Sequence, residues 1–207
     1  MEGKKLPRRQ EEKIVHREQI LAVALDLFSH KGYYSVSMHE IARNADFAIG
    51  TLYNFFKNKE DLYKAMIVEQ CERFHDLLDK AIDISGDEVE RIGSYIRVKG
   101  EIFMNNTAMI RLYFAETRGA SFNIKAGLDA DIRKMYEGFL HKLAGVFESG
   151  IKKKRFMRLL DPYYLAVAID SLTNAFLFLW LEEPERHPYY KNVETITNIF
   201  FNSVKAV

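Results

Sequence analysis

Apolar residues recur at three- and four-residue spacing along almost the whole chain, which is the pattern of amphipathic helices. The 207 residues include only four prolines and 11 glycines, and the alternation typical of half-buried strands is scarce. The pattern predicts an all-α fold whose helices end at glycine, proline or clusters of charge. Nine helices are expected, at about 17–31, from 37 to about 45, and at 49–56, 60–84, 88–105, 107–118, 123–154, 162–181 and 188–207.

The composition is that of a globular protein, with 48% hydrophobic and 29% charged residues and a net charge of +1. Basic residues cluster near the N-terminus, so this region is either an anion-binding arm or a solubilising tail. Cys71 is the only cysteine, which fits a reducing compartment. The first residues lack the apolar core of a secretory signal, so a cytoplasmic location is expected. The basic cluster comprises Lys4, Lys5, Arg8, Arg9, Lys13 and Arg17.

One segment, Tyr163 to Leu181, is apolar and nearly long enough to cross a bilayer. Asp170 and Asn174 lie in its middle, where either side chain would be costly in lipid. Glutamates rather than basic residues follow it. The segment is therefore expected to be a helix buried against protein, and no membrane partner is predicted.

The stretch "GTLYNFFKNKEDL", Gly50 to Leu62, combines three aromatic residues with two lysines. A core helix would explain the aromatic residues, and a solvated helix would explain the lysines. Two short helices joined by a turn of a few residues have the spacing of a helix-turn-helix, whose later helix lies in the major groove of DNA. An ordinary helical hairpin with a polar surface has the same spacing.

Helical geometry divides the later helix into two faces. Leu52 and Phe56 are expected to pack on the preceding helices, and the other face is expected to meet DNA. A glycine lets the DNA backbone or a base edge approach the helix closely, and hydroxyl groups can form hydrogen bonds to phosphate oxygens. An asparagine side chain can form two hydrogen bonds to an adenine. The backbone N–H groups and the positive end at the start of a helix favour a phosphate. The predicted DNA-contacting residues are Ile49, Gly50, Thr51, Tyr53, Asn54 and Lys59, with Arg17 from the basic arm.

Residue matches across "ALDLFSHKGYYSVSMHEIARNADFAIGTLYNFFKNKEDLY" give a stronger indication than spacing. The matching pieces are Ala24-x-x-Leu27-Phe28, Lys31-Gly32-Tyr33, Ser37 with Ile41-Ala42 and Ala45, Gly50 to Tyr53, and Phe56 to Leu62. Residues 17–67 closely resemble the DNA-binding domain of the tetracycline-repressor (TetR) family of bacterial transcription regulators. The resemblance implies that Ser37 and His39, at the start of the second helix, face the major groove; for His39, simple solvent exposure is the alternative.

Four positions depart from the family pattern. Asp46 stands where the family usually has glycine, and aspartate tolerates a left-handed conformation better than most residues. Ala48 replaces the serine or threonine that usually caps the recognition helix, which predicts a weaker cap. Ile49 replaces an often polar residue, and Asn54-Phe55 replaces a common histidine. An operator sequence therefore cannot be transferred by analogy.

The sequence shows no group of residues with the spacing of a catalytic or metal-binding site. The six histidines lack ligand spacing and a single cysteine cannot form a structural zinc site, so no metal, cofactor or catalytic residue is predicted. Two alternatives to a DNA-binding regulator are a helical enzyme with a site assembled in three dimensions and a helical scaffold that binds only protein. DNA binding by the purified protein separates both from the main interpretation.

The C-terminal part is rich in methionine and aromatic residues, which fill a core or line an adaptable pocket. The resemblance implies a cavity for a small, largely apolar effector, with arginines as polar anchors. Surface ion pairs are the alternative role of these arginines. The predicted ligand-binding residues are Phe103, Met104, Met109, Arg111, Tyr113, Arg118, Tyr136 and Phe139.

The last two helices are apolar on more than one face and need cover on both sides. The resemblance implies that this pair meets its two-fold mate in a homodimer, as a reader of palindromic DNA requires. The predicted interface residues are Leu172, Ala175, Phe176, Leu179, Ile196 and Phe200. Residues 1–66 are thus interpreted as a basic arm with a helix-turn-helix domain, and 67–207 as a ligand-binding and dimerisation domain. The expected function is that of an effector-responsive transcriptional repressor.

Overall fold

The computed structural model describes residues 7–116 and 130–204. Within these ranges the regular structure is all α-helical, as predicted. The helices are α1 (Arg8–Lys31), α2 (Met38–Asn44), α3 (Ile49–Phe55), α4 (Lys59–Ile82), α5 (Glu88–Asn105), α6 (Thr107–Glu116), α7 (Ala130–Lys152), α8 (Pro162–Glu182) and α9 (Tyr189–Val204). Helices α4, α5, α6 and α8 lie close to their predicted positions. The predicted ends of the sixth, seventh and ninth helices partly fall outside the described residues.

The described residues form two compact units. The first comprises 7–70 and 108–116, and the second 71–107 and 130–204. The boundary between the units lies inside α4, and most of α6 belongs to the first unit. The domain boundary after residue 66 stays a prediction.

Helix α1 begins at Arg8, nine residues before its predicted start at Arg17. Its first turns are exposed on all sides, so they carry no apolar stripe from which a helix could be predicted. An ion pair between Arg8 and Glu12, at 3.1 Å, spans one turn there. The basic arm is therefore helical from Arg8 onward.

The first unit contains a three-helix bundle with a small apolar core. Residues of all three helices are fully buried, including Phe28 from α1, Ile41 from α2 and Leu52 from α3. Ser37 caps α2 as predicted, because its hydroxyl oxygen accepts a hydrogen bond from the Glu40 N–H at 3.2 Å. These short helices are stable because each buries an apolar side against the other two.

The turn between α2 and α3 confirms two predictions. Asp46 has φ of 58°, the left-handed conformation that aspartate was expected to tolerate there. Ala48 is the N-cap residue of α3 and makes no side-chain capping bond. The turn keeps its shape because the Phe47 N–H donates to the Ala42 carbonyl at 2.9 Å.

The second unit is built on contacts of α7 with α8, of α5 with α7, and of α9 with α5 and α8. Two glycines permit close packing within it. A Cβ on Gly100 would lie 2.0 Å from the Tyr189 ring, and one on Gly150 would lie 2.3 Å from the Phe156 ring. Both glycines are therefore explained by close packing against aromatic rings of the same chain.

Helix α8 is apolar and long enough by composition to cross a membrane. In the structure it packs against α5, α7 and α9, and Asp170 and Asn174 are buried in hydrogen bonds to neighbouring side chains. This position agrees with the expectation of a helix buried against protein.

Candidate DNA-binding surface and helical core

The recognition helix α3 presents its polar face outward. Gly50, Tyr53 and Asn54 are exposed, whereas Ile49 and Thr51 are half-buried. Leu52 and, just after the helix, Phe56 are buried, as the sequence pattern predicts. The face that should meet DNA is therefore free of contacts from the domain's own core.

Gly50 differs from the two packing glycines of the second unit. A Cβ at Gly50 would have no atom within 4 Å, and its backbone has the ordinary conformation of a residue in a helix. Glycine lowers the stability of a helix by about 1 kcal/mol relative to alanine. Packing inside the described chain does not require a glycine here, and the open space leaves room for a partner to approach this face closely.

The start of α2 lies beside this face in the helix-turn-helix. Ser37 and His39 are both exposed, although the Ser37 hydroxyl oxygen is already used in capping. The Glu40 carboxylate accepts a hydrogen bond from the Lys31 ammonium at 2.5 Å. This bond, aided by the Ser37 backbone, lowers the pKa of Glu40. His39 thus remains available for a partner, and Glu40 helps hold α1 to α2.

Lys59 occupies a different environment from the one that the sequence suggests. Its ammonium donates to the Tyr33 and Val36 carbonyls, each at 2.9 Å, and lies 4.5 Å from the centre of the Tyr33 ring. A contact between a DNA phosphate and the Lys59 backbone N–H, at the positive start of α4, stays a prediction. The side chain itself is bonded within the domain.

Arg17 also makes intramolecular contacts. Its guanidinium pairs with the Glu69 carboxylate and lies 5.3 Å from the centre of the Phe56 ring. One turn earlier, Lys13 lies 6.0 Å from the centre of the Phe55 ring at the end of α3. Lys13 was not among the predicted site residues, since only the helical start of α1 brings it beside the recognition helix.

The described members of the predicted ligand-binding set fall in both units, and a cavity that they share stays a prediction. Phe139 is buried in the core of the second unit, and Phe103 and Tyr136 pack against that core. Met109, Arg111 and Tyr113 belong to the first unit, where Met109 is buried and Arg111 is exposed. Met104 is half-buried on α5, and Arg118 lies outside the described residues. Two surface grooves in the second unit, of about 430 and 500 Å³, are lined by other residues.

The Tyr136 hydroxyl belongs to a buried polar cluster, which was not predicted from the sequence. The Asp170 carboxylate on α8 accepts hydrogen bonds from the Lys99 ammonium, from the hydroxyl groups of Tyr95 (at 2.5 Å) and Tyr136, and from the Asn174 amide at 2.9 Å. We call these five side chains the Asp170 cluster. The lysine at 99 and the aspartate in an apolar helix were the available signals, but nothing in the sequence indicates that they meet.

Electrostatics holds the Asp170 cluster in one protonation state. Burial alone would raise the pKa of Asp170, but the charge of Lys99 and the hydrogen bonds outweigh it and lower the pKa. Burial and the neighbouring carboxylate raise the pKa of Tyr95 and of Tyr136. The carboxylate is therefore charged and the phenols are neutral, and the Asn174 side-chain carbonyl is buried with no hydrogen-bond partner among the described residues.

The predicted dimer residues divide into two groups. Ala175 and Leu179 are exposed on α8, and Leu172 and Phe176 are half-buried beside them. Ile196 and Phe200 are buried in the core of their own chain, so their assignment to an interface is corrected. Among the described side chains of α9, Tyr190, which is 67% exposed, and Ile199, which is 51% exposed, are the large apolar residues at the surface.

The exposed positions of α8 before its last residue, Glu182, form one stripe. They follow each other at intervals of four and three residues, which places them on a single side of the helix. The middle of the stripe has small side chains and its ends have large apolar ones, a shape that permits another helix to approach closely. The stripe consists of Tyr164, Ala168, Ser171, Ala175 and Leu179.

Comparisons with known proteins agree with this architecture. Residues 20–66 match the sequence profile of bacterial regulatory proteins of the tetR family. The chain is 24% identical to the fatty acid metabolism regulator protein of Bacillus subtilis over 169 residues, which is 82% of this chain and 85% of the relative. It is 30% identical to the transcriptional repressor KstR of Mycolicibacterium smegmatis over 109 residues, 50% of this chain and 53% of that protein.

A solved structure shows the same fold along most of the chain. The transcriptional regulator FadR from Bacillus subtilis, in complex with stearoyl-CoA, superposes with a TM-score of 0.73. The alignment covers 89% of this chain and 97% of that chain, at 20% identity. This likeness shows the fold. The profile matched by residues 20–66, the relatives named above and the helix-turn-helix geometry identify the chain as a DNA-binding transcriptional regulator of the tetR family of bacterial regulatory proteins.

Proposed function

We propose that the chain is a repressor that binds a palindromic operator as a homodimer and is released by a small, largely apolar effector. The observation that carries the DNA half is the exposed polar face of α3, where Gly50, Tyr53 and Asn54 are free of core contacts. A surface of this shape at the end of a helix-turn-helix suits the major groove. The name of the mycobacterial relative supports repression as the direction of regulation.

The homodimer is supported by the apolar stripe on α8. Leu179 is 42% exposed and Tyr164 is 62% exposed, although large apolar residues are normally covered when they are grouped. A second copy that places its own stripe against this one would cover both. Two recognition helices related by a two-fold axis then read two half-sites of a palindrome.

The effector that we propose is a long-chain fatty acyl compound. A relative that matches 82% of this chain is named as a fatty acid metabolism regulator protein, and a structural relative was solved in complex with stearoyl-CoA. In this chain the second unit offers a large apolar core around the Asp170 cluster. Its Lys99 ammonium and Asn174 carbonyl give a polar group of the ligand a donor and an acceptor inside apolar surroundings.

Selection of genomic DNA fragments by the purified protein tests the DNA half. We expect enrichment of fragments that share an inverted repeat with half-sites about one helical turn apart. The sequence common to the fragments is the operator, and its neighbouring genes name the regulated process. Enrichment of no fragment contradicts the proposal and favours the protein-binding scaffold, and enrichment of fragments without a shared sequence contradicts recognition of an operator.

Titration with stearoyl-CoA tests the effector half, with octanoyl-CoA as the control for the length of the acyl chain. An effector that releases the operator must bind the free protein more tightly than the operator complex. The operator must then weaken effector binding by the same factor, typically about 5–150-fold. Equal affinity in the presence and absence of operator shows that the ligand does not regulate this protein, and leaves the DNA half intact.

A further inference from the structure

The first turns of α1 carry basic side chains next to the recognition helix. Arg9, Lys13 and His16 follow each other at intervals of four and three residues, so they lie on one side of the helix, which we call the basic face of α1. We propose that Arg9 and Lys13 bind backbone phosphates of DNA beside the base pairs that α3 reads. The proposal rests on the proposed operator binding and adds to it a contact that does not depend on base sequence.

This part of α1 precedes the residues that match the family profile. The match begins at residue 20, whereas α1 is helical from Arg8 onward. Residues 8–16 are all exposed, and Ile20 is the first buried residue of the described chain. Packing inside the described chain therefore does not account for the extra turns, and their surface is open to a partner.

Two ring contacts place the basic face of α1 beside the helix-turn-helix. The Lys13 ammonium lies 6.0 Å from the centre of the ring of Phe55, the last residue of α3. The centre of the His16 ring lies 5.0 Å from that of Phe47, which belongs to the turn just before α3. The basic face therefore lies near both ends of the recognition helix. Since phosphates border the major groove into which that helix fits, a cation here meets the DNA backbone rather than base edges.

The two cations of this face are available for a partner. Among the described residues the Arg9 side chain has no ion pair or hydrogen bond, and the Lys13 ammonium has only its contact with a ring. The next basic residue, Arg17, differs because its guanidinium is paired with Glu69. Arginine and lysine are common donors to phosphate oxygens. Phosphate binding would therefore not require Arg9 or Lys13 to leave a partner in the protein.

The other sides of the same turns carry acidic or paired residues. Glu11 and Glu18 are seven residues apart and lie roughly opposite Lys13 on the helix. Arg8 lies on another side, where its side chain pairs with Glu12 at 3.1 Å. A polyanion is therefore attracted to the basic face and repelled by the acidic side. Arg8 is the matched control, since it carries the same charge in the same part of the helix but lies off the basic face.

The first measurement needs no operator, because phosphate contacts do not depend on sequence. Affinity for a duplex of arbitrary sequence is measured as a function of salt for the wild type, Arg9→Gln, Lys13→Gln and Arg8→Gln. Glutamine has nearly the helix propensity of lysine and arginine, and circular dichroism checks that each variant is folded. We expect Arg9→Gln and Lys13→Gln each to lower the salt slope by about 1 and to bind about fivefold more weakly at physiological salt, and Arg8→Gln to match the wild type. Wild-type slopes in both Arg9→Gln and Lys13→Gln overturn the proposal.

The second measurement locates the contact on the operator. A duplex that ends at the shared inverted repeat is compared with one that adds a few base pairs of arbitrary sequence at each end. The added base pairs should raise the affinity of the wild type and of Arg8→Gln, whatever their sequence, but not that of a protein carrying both Arg9→Gln and Lys13→Gln. An equal gain in all three proteins, or no gain in the wild type, overturns contacts beside the half-sites. If the wild type selects no fragment, the proposed operator binding fails, while the arbitrary duplex still tests the basic face.

Discussion

At the scale of single residues, the structure distinguishes side chains that serve the domain from those that are free for a partner. Gly100 and Gly150 are small because rings of their own chain press against them. Gly50 is small although nothing described approaches it. Lys59 and Arg17 are basic residues bonded within the domain. The part of the predicted DNA-contacting set that is free of contacts within the domain is therefore narrower than the sequence pattern suggests, and Gly50 on α3 is its most informative member.

Gly50→Ala should raise the stability of the protein and lower its affinity for DNA. The new methyl group has open space around it, and alanine is about 0.5–1 kcal/mol more stable than glycine in a helix. The same methyl group would stand between α3 and a closely approaching DNA strand. Thermal unfolding and operator titration of one preparation measure both effects.

Gly138→Ala is the matched control. Gly138 is an exposed helical glycine of α7, and a methyl group added there would also have no atom within 4 Å. This variant should gain similar stability without any loss of affinity. If Gly50→Ala binds the operator as well as Gly138→Ala does, DNA does not approach α3 closely at that position.

At the scale of elements, a buried carboxylate joins the start of α5 to the end of α7. Glu88 accepts hydrogen bonds from the Ser149 hydroxyl at 2.7 Å and from the Lys153 ammonium at 2.6 Å, and Arg155 lies 3.3 Å away. Burial alone would raise the pKa of Glu88, but the bonds from Lys153 and Ser149 outweigh it and lower the pKa to about 2, from an ordinary value of 4.5. The join between the two helices therefore depends on an ionised Glu88.

This join predicts that acid destabilises the second unit. A carboxyl group with a lowered pKa in the folded state stabilises it fully above pH 4.5 and loses that contribution as the pH falls toward 2. One pKa unit corresponds to about 1.4 kcal/mol, which sets a limit of about 3 kcal/mol. Lys153 and Arg155 are half-exposed, so screening reduces the expected contribution to about 1–2 kcal/mol.

Chemical unfolding at pH 6 and pH 3 measures this contribution in the wild type and in Glu88→Gln. The difference in free energy of unfolding between the two proteins should be largest at pH 6 and smaller at pH 3, where the carboxyl group is protonated in the unfolded chain but still ionised in the folded one. Glu148→Gln removes an exposed carboxylate that pairs with Lys152 on the surface of α7, and its difference from the wild type should be small at both pH values. A Glu88→Gln difference that does not change with pH would show that the charge of Glu88 is not what holds the helices.

At the scale of the whole molecule, the question is which apolar surface belongs to a second copy. Helix α9 turns Ile196 and Phe200 into the chain's own core, whereas α8 leaves its stripe from Tyr164 to Leu179 at the surface. Association of two copies through the stripe would bury apolar area that the single chain cannot cover. The oligomeric state should therefore depend on α8 more than on the buried residues of α9.

Leu179→Asp should give a folded monomer that has lost most of its affinity for the operator, because one recognition helix reads only half of a palindrome. Light scattering and operator titration measure the two effects. Leu77→Asp is the control: this leucine of α4 is 46% exposed, against 42% for Leu179, and its replacement should leave the dimer intact. Phe200→Asp should instead unfold the protein, since Phe200 is buried. A wild type that is monomeric at micromolar concentration contradicts the proposed dimer.

The sequence by itself determined what depends on neighbours within a few residues. Periodicity located most of the helices, the serine at 37 predicted the cap of α2, and Asp46 was expected to tolerate the left-handed turn that the structure has. These features follow from helical repeat, hydrogen bonds across one turn and the steric preferences of single residues. The same local signals, with the ordered residue matches around Gly50 to Leu62, were sufficient to identify the family.

Only the tertiary structure decided which distant residues meet. Lys59 contacts a carbonyl 26 residues earlier, and Asp170 contacts a hydroxyl 75 residues earlier. No local pattern contains those pairings, so a basic residue predicted to bind DNA became a partner of the domain's backbone. An apolar pattern likewise shows that Ile196 and Phe200 must be covered, but not by which chain. That choice depends on how the helices pack, because the hydrophobic effect has no direction of its own and acts on whatever surface the fold leaves exposed.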